Sequence, residues 1–258
     1  MFRVEGQILS MDRRLILLIS VLAVAIGVIV WWMGRSHFSP MEKRFSSGFS
    51  NRVLAMELVR TTSDVQEVVG DLGDPNREVM RDNVQKDFFF IPSYGLLFAA
   101  LGWLLGRSEY RLAIWVGAAI VVCAVGAGAF DVLENLRIFR VLDARLADTT
   151  PAMVESLRAA SLVKWALVFI SMALLSPIVF MRQELFALPI GPPRLAFVFG
   201  VIIALAYLLA AITGMIGLKQ NPLIEKASMF MSLALLLTVL LLLVTFFARS
   251  RTGSTAGI

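Results

Sequence analysis

The chain has 258 residues and carries a net charge of +5, but only 17% of its residues are charged and 58% are apolar. Soluble domains usually contain about 25% charged residues, so this composition, with a mean hydropathy of +0.79, excludes an ordinary soluble protein. The basic residues lie at the ends of apolar runs and in loops, where they contact lipid headgroups, and no nucleic-acid partner is expected.

Six apolar stretches are long enough to cross a bilayer, for which a helix needs about 20 residues. The first stretch is expected to remain as an anchor, because it is longer than the apolar region of a signal peptide and ends in a poor cleavage site. The chain is therefore predicted to be an all-α polytopic transmembrane helix bundle with about six spans. These are residues 15–33, 88–105, 112–130, 165–181, 195–218 and 227–248.

A polar segment between the first two spans predicts a small helical cap outside the membrane, with a partly ordered loop as the alternative. Ser63 and the three residues after it are typical of a capping box, and Asp74 before Pro75 is typical of a helix start. The amphipathic stretch 53–59 is expected to lie along the membrane surface. The predicted divisions are tail and anchor (1–34), cap (35–86), core spans (87–182) and C-terminal hairpin with tail (183–258).

The later connections also carry helix signals. The third and fourth spans are joined by residues 136–160, within which Thr150 and Pro151 are expected to start the next helix. Gly102 and Gly106, four residues apart in the second span, predict close packing against a neighbouring helix.

Charged residues at the chain's ends favour both termini in the cytoplasm. Arginines precede the first span and follow the last, and positive flanking residues usually stay inside. The connection 136–160, which would then lie outside, also carries four arginines. Membrane lipids are the expected surroundings, and nothing in the sequence specifies an oligomeric state.

Polar residues collect where the second span begins, the third ends and the fourth begins. Because successive spans alternate in direction, these three ends lie on the same side of the membrane as the cap. Within each helix the polar residues are three, four or seven apart and so share one face. The candidate pocket on these faces consists of Asp87, Tyr94, Asp131, Glu134, Asn135, Ser161 and Lys164.

Three interpretations of this cluster stay open. Charges at membrane depth are costly and usually functional, which favours a pocket for a lipid, a small amphiphile or an ion. Asp87, Asp131 and Glu134 are also suitable for acid–base chemistry on a lipid-type substrate. Ser161 and Lys164 have the spacing of a serine/lysine dyad without its companion motifs. The third interpretation is a structural clasp, in a protein that would serve as a scaffold for membrane partners.

Metal and cofactor chemistry is not predicted. His37 is the only histidine and Cys123 the only cysteine, whereas a metal site needs several converging ligands. The lone cysteine also excludes an internal disulfide. Accordingly, neither a metal nor a cofactor is expected.

Several short motifs occur in a fixed order along the cap and core. They are Met-Glu-Leu-Val-Arg-Thr at 56–61, Lys-Asp-Phe-Phe-Phe-Ile-Pro-Ser-Tyr at 86–94, Phe-Asp-Val-Leu-Glu-Asn at 130–135 and Lys-Trp at 164–165. In order and spacing, over about residues 50–175, the chain resembles a family of uncharacterised bacterial multi-pass integral membrane proteins. The resemblance implies a bacterial inner membrane and a shared pocket, and no particular activity. The last two spans lie outside it.

Overall fold

The computed structural model describes residues 2–39, 45–108, 110–186, 193–219 and 222–254, which form eight α-helices, two 3-10 turns and no strand. Six helices, α1 and α4 to α8, are long and apolar enough to cross a membrane. The predicted all-α polytopic bundle is thus confirmed. The helices are α1 (Phe2–Met33), α2 (Arg52–Glu57), α3 (Thr62–Val69), α4 (Pro75–Gly106), α5 (Arg111–Asp143), α6 (Pro151–Met181), α7 (Pro193–Gly217) and α8 (Leu223–Ser254).

Side-chain caps set the starts of α2, α3, α4 and α6. Asp74 and Thr150 each accept a backbone N–H from the first turn of α4 and α6, and each is followed by proline, as predicted. The capping box of α3 instead begins at Thr61, whose hydroxyl accepts the Asp64 N–H while the Asp64 carboxylate accepts the Thr61 N–H. The prediction of a box at Ser63 was wrong, because Asp64 is the third helical residue and pairs with Thr61, two residues before Ser63.

Helices α4 and α5 extend beyond the predicted spans on the side of the cap. Helix α4 begins at Pro75 and continues through Pro92, so part of the cap and the second span are one helix. Helix α5 ends at Asp143 and α6 begins at Pro151, so the connection is residues 144–150 rather than 136–160. Rigid helices therefore carry the polar residues at the boundary between membrane and cap.

The last carbonyl groups of a helix have no partners within that helix. At the ends of α4 and α5, Arg182 and Arg77 donate hydrogen bonds to these carbonyls. The buried Arg77 donates from Nη1 to three carbonyls at the end of α5, at 2.9–3.1 Å. Arg182, at the end of α6, donates to the carbonyls of Leu105 and Arg107 at the end of α4. These bonds fix the relative positions of α4, α5 and α6 on both sides of the membrane.

Helices α4 and α5 approach most closely at glycines. Gly102 and Gly106 of α4 face Gly117 of α5, and a Cβ on Gly117 would lie 2.5 Å from the Gly102 carbonyl oxygen and 2.7 Å from the Gly106 Cα. Such backbone contact leaves no room for a methyl group. It is the close packing that small residues allow in membranes, and Gly117 is the partner that the sequence analysis did not identify.

Helix α2 packs into the protein and not along the membrane surface. Every residue from Leu54 to Val59 is buried, and the helix contacts α5 and α6. Its start is held by Glu225 in the first turn of α8, whose Oε1 accepts the N–H groups of Ser50 and Asn51 at 2.7 and 2.8 Å. The prediction that stretch 53–59 lies along the surface was wrong, because both faces of this short segment find protein partners.

Candidate functional site

Lys164 of α6 is the centre of the polar cluster. Its Nζ lies 3.2 Å from Glu57 Oε1 and 3.2 Å from Asp131 Oδ1, and it also pairs with Glu134 Oε2. Only 7% of the Lys164 side chain is exposed. Since Glu57 belongs to α2 and the other two acids to one face of α5, this single ammonium joins the cap to two transmembrane helices.

The three carboxylates that hold Lys164 also accept a hydrogen bond on their second oxygen. Each donor comes from α4 or α6, so the cluster is connected across four helices. Buried carboxylates satisfied on both oxygens are held in a fixed geometry. The donors are the Trp165 ring to Glu57 Oε2 (2.7 Å), the Tyr94 hydroxyl to Asp131 Oδ2 (2.8 Å) and the Ser161 hydroxyl to Glu134 Oε1 (2.9 Å).

Asp87 of α4 is held differently from the other acids. Its Oδ2 accepts a hydrogen bond from Asn135 Nδ2 at 2.8 Å, and among the described residues no donor contacts its Oδ1. The side chain is half-buried and lines a cavity. Asp87 therefore has one carboxylate oxygen without a donor and lies in the wall of that cavity.

All seven residues of the predicted pocket lie on the facing sides of α4, α5 and α6. Tyr94, Asp131, Glu134, Ser161 and Lys164 form one connected network, and the pair formed by Asp87 and Asn135 lies beside it on α4 and α5.

Two members of the network were not in the predicted set. Glu57 is the one acid in the apolar run 53–59, a signal that its carboxylate must find a buried partner. Trp165 follows Lys164 directly, and its ring nitrogen donates to Glu57 while the residue lines the cavity. Arg137, two residues after Asn135, lies outside the network and donates to the Ser156 carbonyl on α6.

A cavity of about 990 Å³ lies beside the cluster, with walls from α1, α2, α4, α5, α6 and α8. Its polar part lies towards the cap and contains Glu57, Asp87, Asp131 and Lys164. From Asp87 it continues along α4 to Phe98, which is about 16 Å at 1.5 Å per helical residue. That depth is roughly half of the ~30 Å hydrocarbon core. Apolar side chains line this deeper part: Ile26, Val30, Leu97, Phe98, Leu235 and Val239.

The charges of the polar cluster are unequal, because the four carboxyl groups of Glu57, Asp87, Asp131 and Glu134 lie around the one ammonium of Lys164. The pKa of Glu57, in the cap, is raised by burial, and the Lys164 ammonium opposes that shift. One ammonium neutralises one carboxylate, so the remaining acids must hold protons or attract a further cation.

The contacts of Ser161 and Lys164 argue against a nucleophilic dyad. The Ser161 hydroxyl donates to Glu134, and Lys164 is enclosed by three carboxylates. A lysine that activates a serine must accept its proton and so must be neutral, whereas this environment favours the ammonium. In the part of the chain that the structure describes, no three acids, histidines or cysteines are grouped to hold a metal ion.

Comparisons with known proteins add no assignment to this site. The motif resemblance to uncharacterised bacterial membrane proteins therefore stays a prediction. No protein-family model matches the chain, and neither curated proteins nor solved structures give a match.

Proposed function

We propose that this multi-pass membrane protein binds an amphiphile, such as a membrane lipid, in the cavity between α1, α4 and α8. The polar head lies at the cluster around Lys164 and Asp87, and the chain extends into the apolar part. The observation that carries the proposal is the division of one cavity into a charged end beside the cap and an apolar end about one leaflet deep. Ligand pockets typically combine such apolar walls with a few placed polar groups.

The size of the cavity supports an occupant. Its volume of about 990 Å³ lies within the range of about 300–1,000 Å³ that is typical of small-molecule pockets. The apolar walls lie at the depth of the hydrocarbon core, where hydrocarbon chains are the apolar molecules that a bilayer supplies.

A structural clasp and a binding pocket coexist in this arrangement. The network around Lys164 joins the cap to α5 and α6 and is saturated by its own hydrogen bonds. Asp87 is not needed for that network and faces the cavity. The clasp thus supports the wall of the pocket, and Asp87 is available to the ligand.

The proposal includes a location in a bacterial inner membrane with both termini in the cytoplasm. Six spans put the two termini on one side and the cap with the polar cluster on the other. With the arginine-rich ends inside, the head of the ligand lies at the level of the outer leaflet.

Filling the cavity from α1 tests the proposed function. A Cβ at Gly27 would meet no atom within 4 Å, and Gly27 lines the cavity, so Gly27→Leu adds side-chain volume at the cavity wall. Lipids that remain with the purified protein are extracted and measured by mass spectrometry. We expect one retained lipid class in the wild type and its loss in Gly27→Leu.

The matched control is Val28→Leu, which enlarges the adjacent, 57% exposed side chain on the outside of α1. It should retain as much lipid as the wild type. Equal retention by Gly27→Leu and the wild type, with both variants folded, would count against the cavity as the binding site.

A further inference from the structure

We infer that the amphiphile carries a cationic head, an ammonium group, and that Asp87 is the residue that binds it. The inference rests on the proposed function, since it concerns the head of a molecule whose chain fills the cavity. It adds the charge of that head and the side chain that selects it.

The first argument is the difference between Asp87 and the other acids. Glu57, Asp131 and Glu134 each use both oxygens, one for Lys164 and one for a hydroxyl or ring donor. Asp87 lines the cavity and uses one oxygen for Asn135, and no donor among the described residues contacts the other. This second acceptor, on a side chain of the cavity wall, is therefore suited to a donor supplied by the ligand.

Charge balance adds a second argument. The network already gives Lys164 three carboxylates, so the protein's ammonium is not available to neutralise Asp87 as well. A carboxylate beside an apolar cavity is costly without a partner. An ammonium on the ligand would offset this cost by a charge-assisted hydrogen bond to Asp87, whereas an anionic head would add repulsion.

Two aromatic rings near Asp87 provide a third argument for a cationic head. Phe90 and Tyr94 follow on the same face of α4, their centroids lie 5.3 Å apart, and both line the cavity. An ammonium near ring faces is attracted by their quadrupole. A head bound at Asp87 would thus meet one carboxylate and two rings, an environment that favours organic cations.

Arg52 is the cavity residue that would favour an anion. Its guanidinium donates to the carbonyls of Val68 and Ser39 and lies over the rings of Phe38 and Phe45. These contacts occupy Nη1 and Nη2 within the cap, while the buried Nε has no hydrogen-bond partner among the described residues. We therefore assign the head to Asp87, and binding of an anion becomes a distinct outcome of the test.

The test compares three probes with the same dodecyl chain: dodecylammonium, dodecanol and dodecyl sulfate. Each is titrated below micellar concentration into the delipidated full-length protein in a neutral maltoside detergent, and binding is measured by calorimetry. We expect dodecylammonium to bind at least about tenfold more tightly than the other two. Asp87→Asn should lower its affinity by about tenfold or more, because a hydrogen bond to a charged group is lost.

The control variant is Glu78→Gln, an exposed acid on α4, which should leave all three affinities unchanged. Equal affinities of the wild type for the three probes would overturn the cationic head and leave the proposed cavity standing. A preference for dodecyl sulfate would overturn the cationic head and indicate that Arg52 binds an anionic head. Failure of every probe to bind would overturn the proposed function too. If Asp87→Asn does not fold, the wild-type preference alone decides between these outcomes.

Discussion

Lys164 contacts three carboxylates from two different parts of the chain, so its removal leaves several acids without their counter-ion. Glu57 and Glu134 are almost completely buried, with side chains 12% and 1% exposed. Removing one partner of a buried ion pair costs about 3–5 kcal/mol. The stability of the cap and core therefore depends on this one ammonium.

The variant Lys164→Met tests that dependence. We expect it to lower the free energy of unfolding by about 3–5 kcal/mol, measured by denaturant unfolding in detergent. Lys226→Met removes an exposed lysine of α8 and should change stability by less than about 0.5 kcal/mol. If Lys164→Met has the same free energy of unfolding as the wild type, the network does not stabilise the fold.

Asp71, in the cap, provides a test by pH. Its Oδ1 accepts the backbone N–H groups of Leu146 and Leu72 at 2.9 and 2.8 Å, and these bonds lower its pKa below 3.8. A lowered pKa means that the contribution to stability is complete above the ordinary pKa and is lost as the pH falls through the lower folded value.

Asp71→Asn should therefore destabilise the protein more at about pH 6 than at about pH 3. The quantity to measure is the difference in Tm between the wild type and the variant at the two pH values. An equal difference at both would mean that the charge of Asp71 does not contribute.

At the residue scale, the periodicity of long helices made most of the cluster predictable. Asp131 and Glu134 share a face at any depth of α5, because helical geometry fixes which side chains align. Glu57 was not predictable in the same way. The position of its short helix depends on the contact of Asn51 with Glu225, 174 residues away in the sequence.

At the element scale, the close contact of α4 and α5 depends on three glycines. Gly117→Ala would place a methyl group against the backbone of α4, and overpacking of this kind costs about 1–3 kcal/mol. We expect a corresponding loss in the free energy of unfolding. The control is Gly27→Ala on α1, where a Cβ meets nothing within 4 Å. Equal stability of the two variants would contradict the close approach.

The spans were predictable from hydropathy, and the start of α4 was predictable from Asp74 and Pro75, but the end of α5 was not predictable from either signal. Both helices continue as polar segments beyond the apolar stretch, and hydropathy does not record such an extension. The buried Arg77 holds the extended ends together by its bonds to the last carbonyls of α5. A contact of this type depends on the tertiary structure and has no local pattern.

At the scale of the whole molecule, the last span, α8, completes the cavity. The last two spans lie outside the region that resembles the family, so the sequence predicted no role for them. Helix α8 contacts α1 as well as α7, and Leu235 and Val239 of α8 line the apolar part of the cavity. The C-terminal hairpin is thus part of the proposed binding site.

The proposed orientation is tested with single cysteines in a Cys123→Ala background. Leu72 in the cap and Tyr110 in the opposite turn are 49% and 67% exposed. A membrane-impermeant maleimide should label Leu72→Cys in intact cells, and Tyr110→Cys only after lysis. The reverse pattern would place the cap in the cytoplasm.

The most direct measurement of the central claim is photo-crosslinking of the retained amphiphile. The protein is reconstituted with phosphatidylethanolamine carrying a diazirine at the chain end, re-extracted to remove loosely bound lipid, and irradiated. Peptide mapping by mass spectrometry should locate crosslinks at the apolar cavity wall, near Ile26, Phe98 and Val239. Crosslinks confined to the outward-facing Val122 and Val125 of α5 would mean that the cavity does not hold the chain.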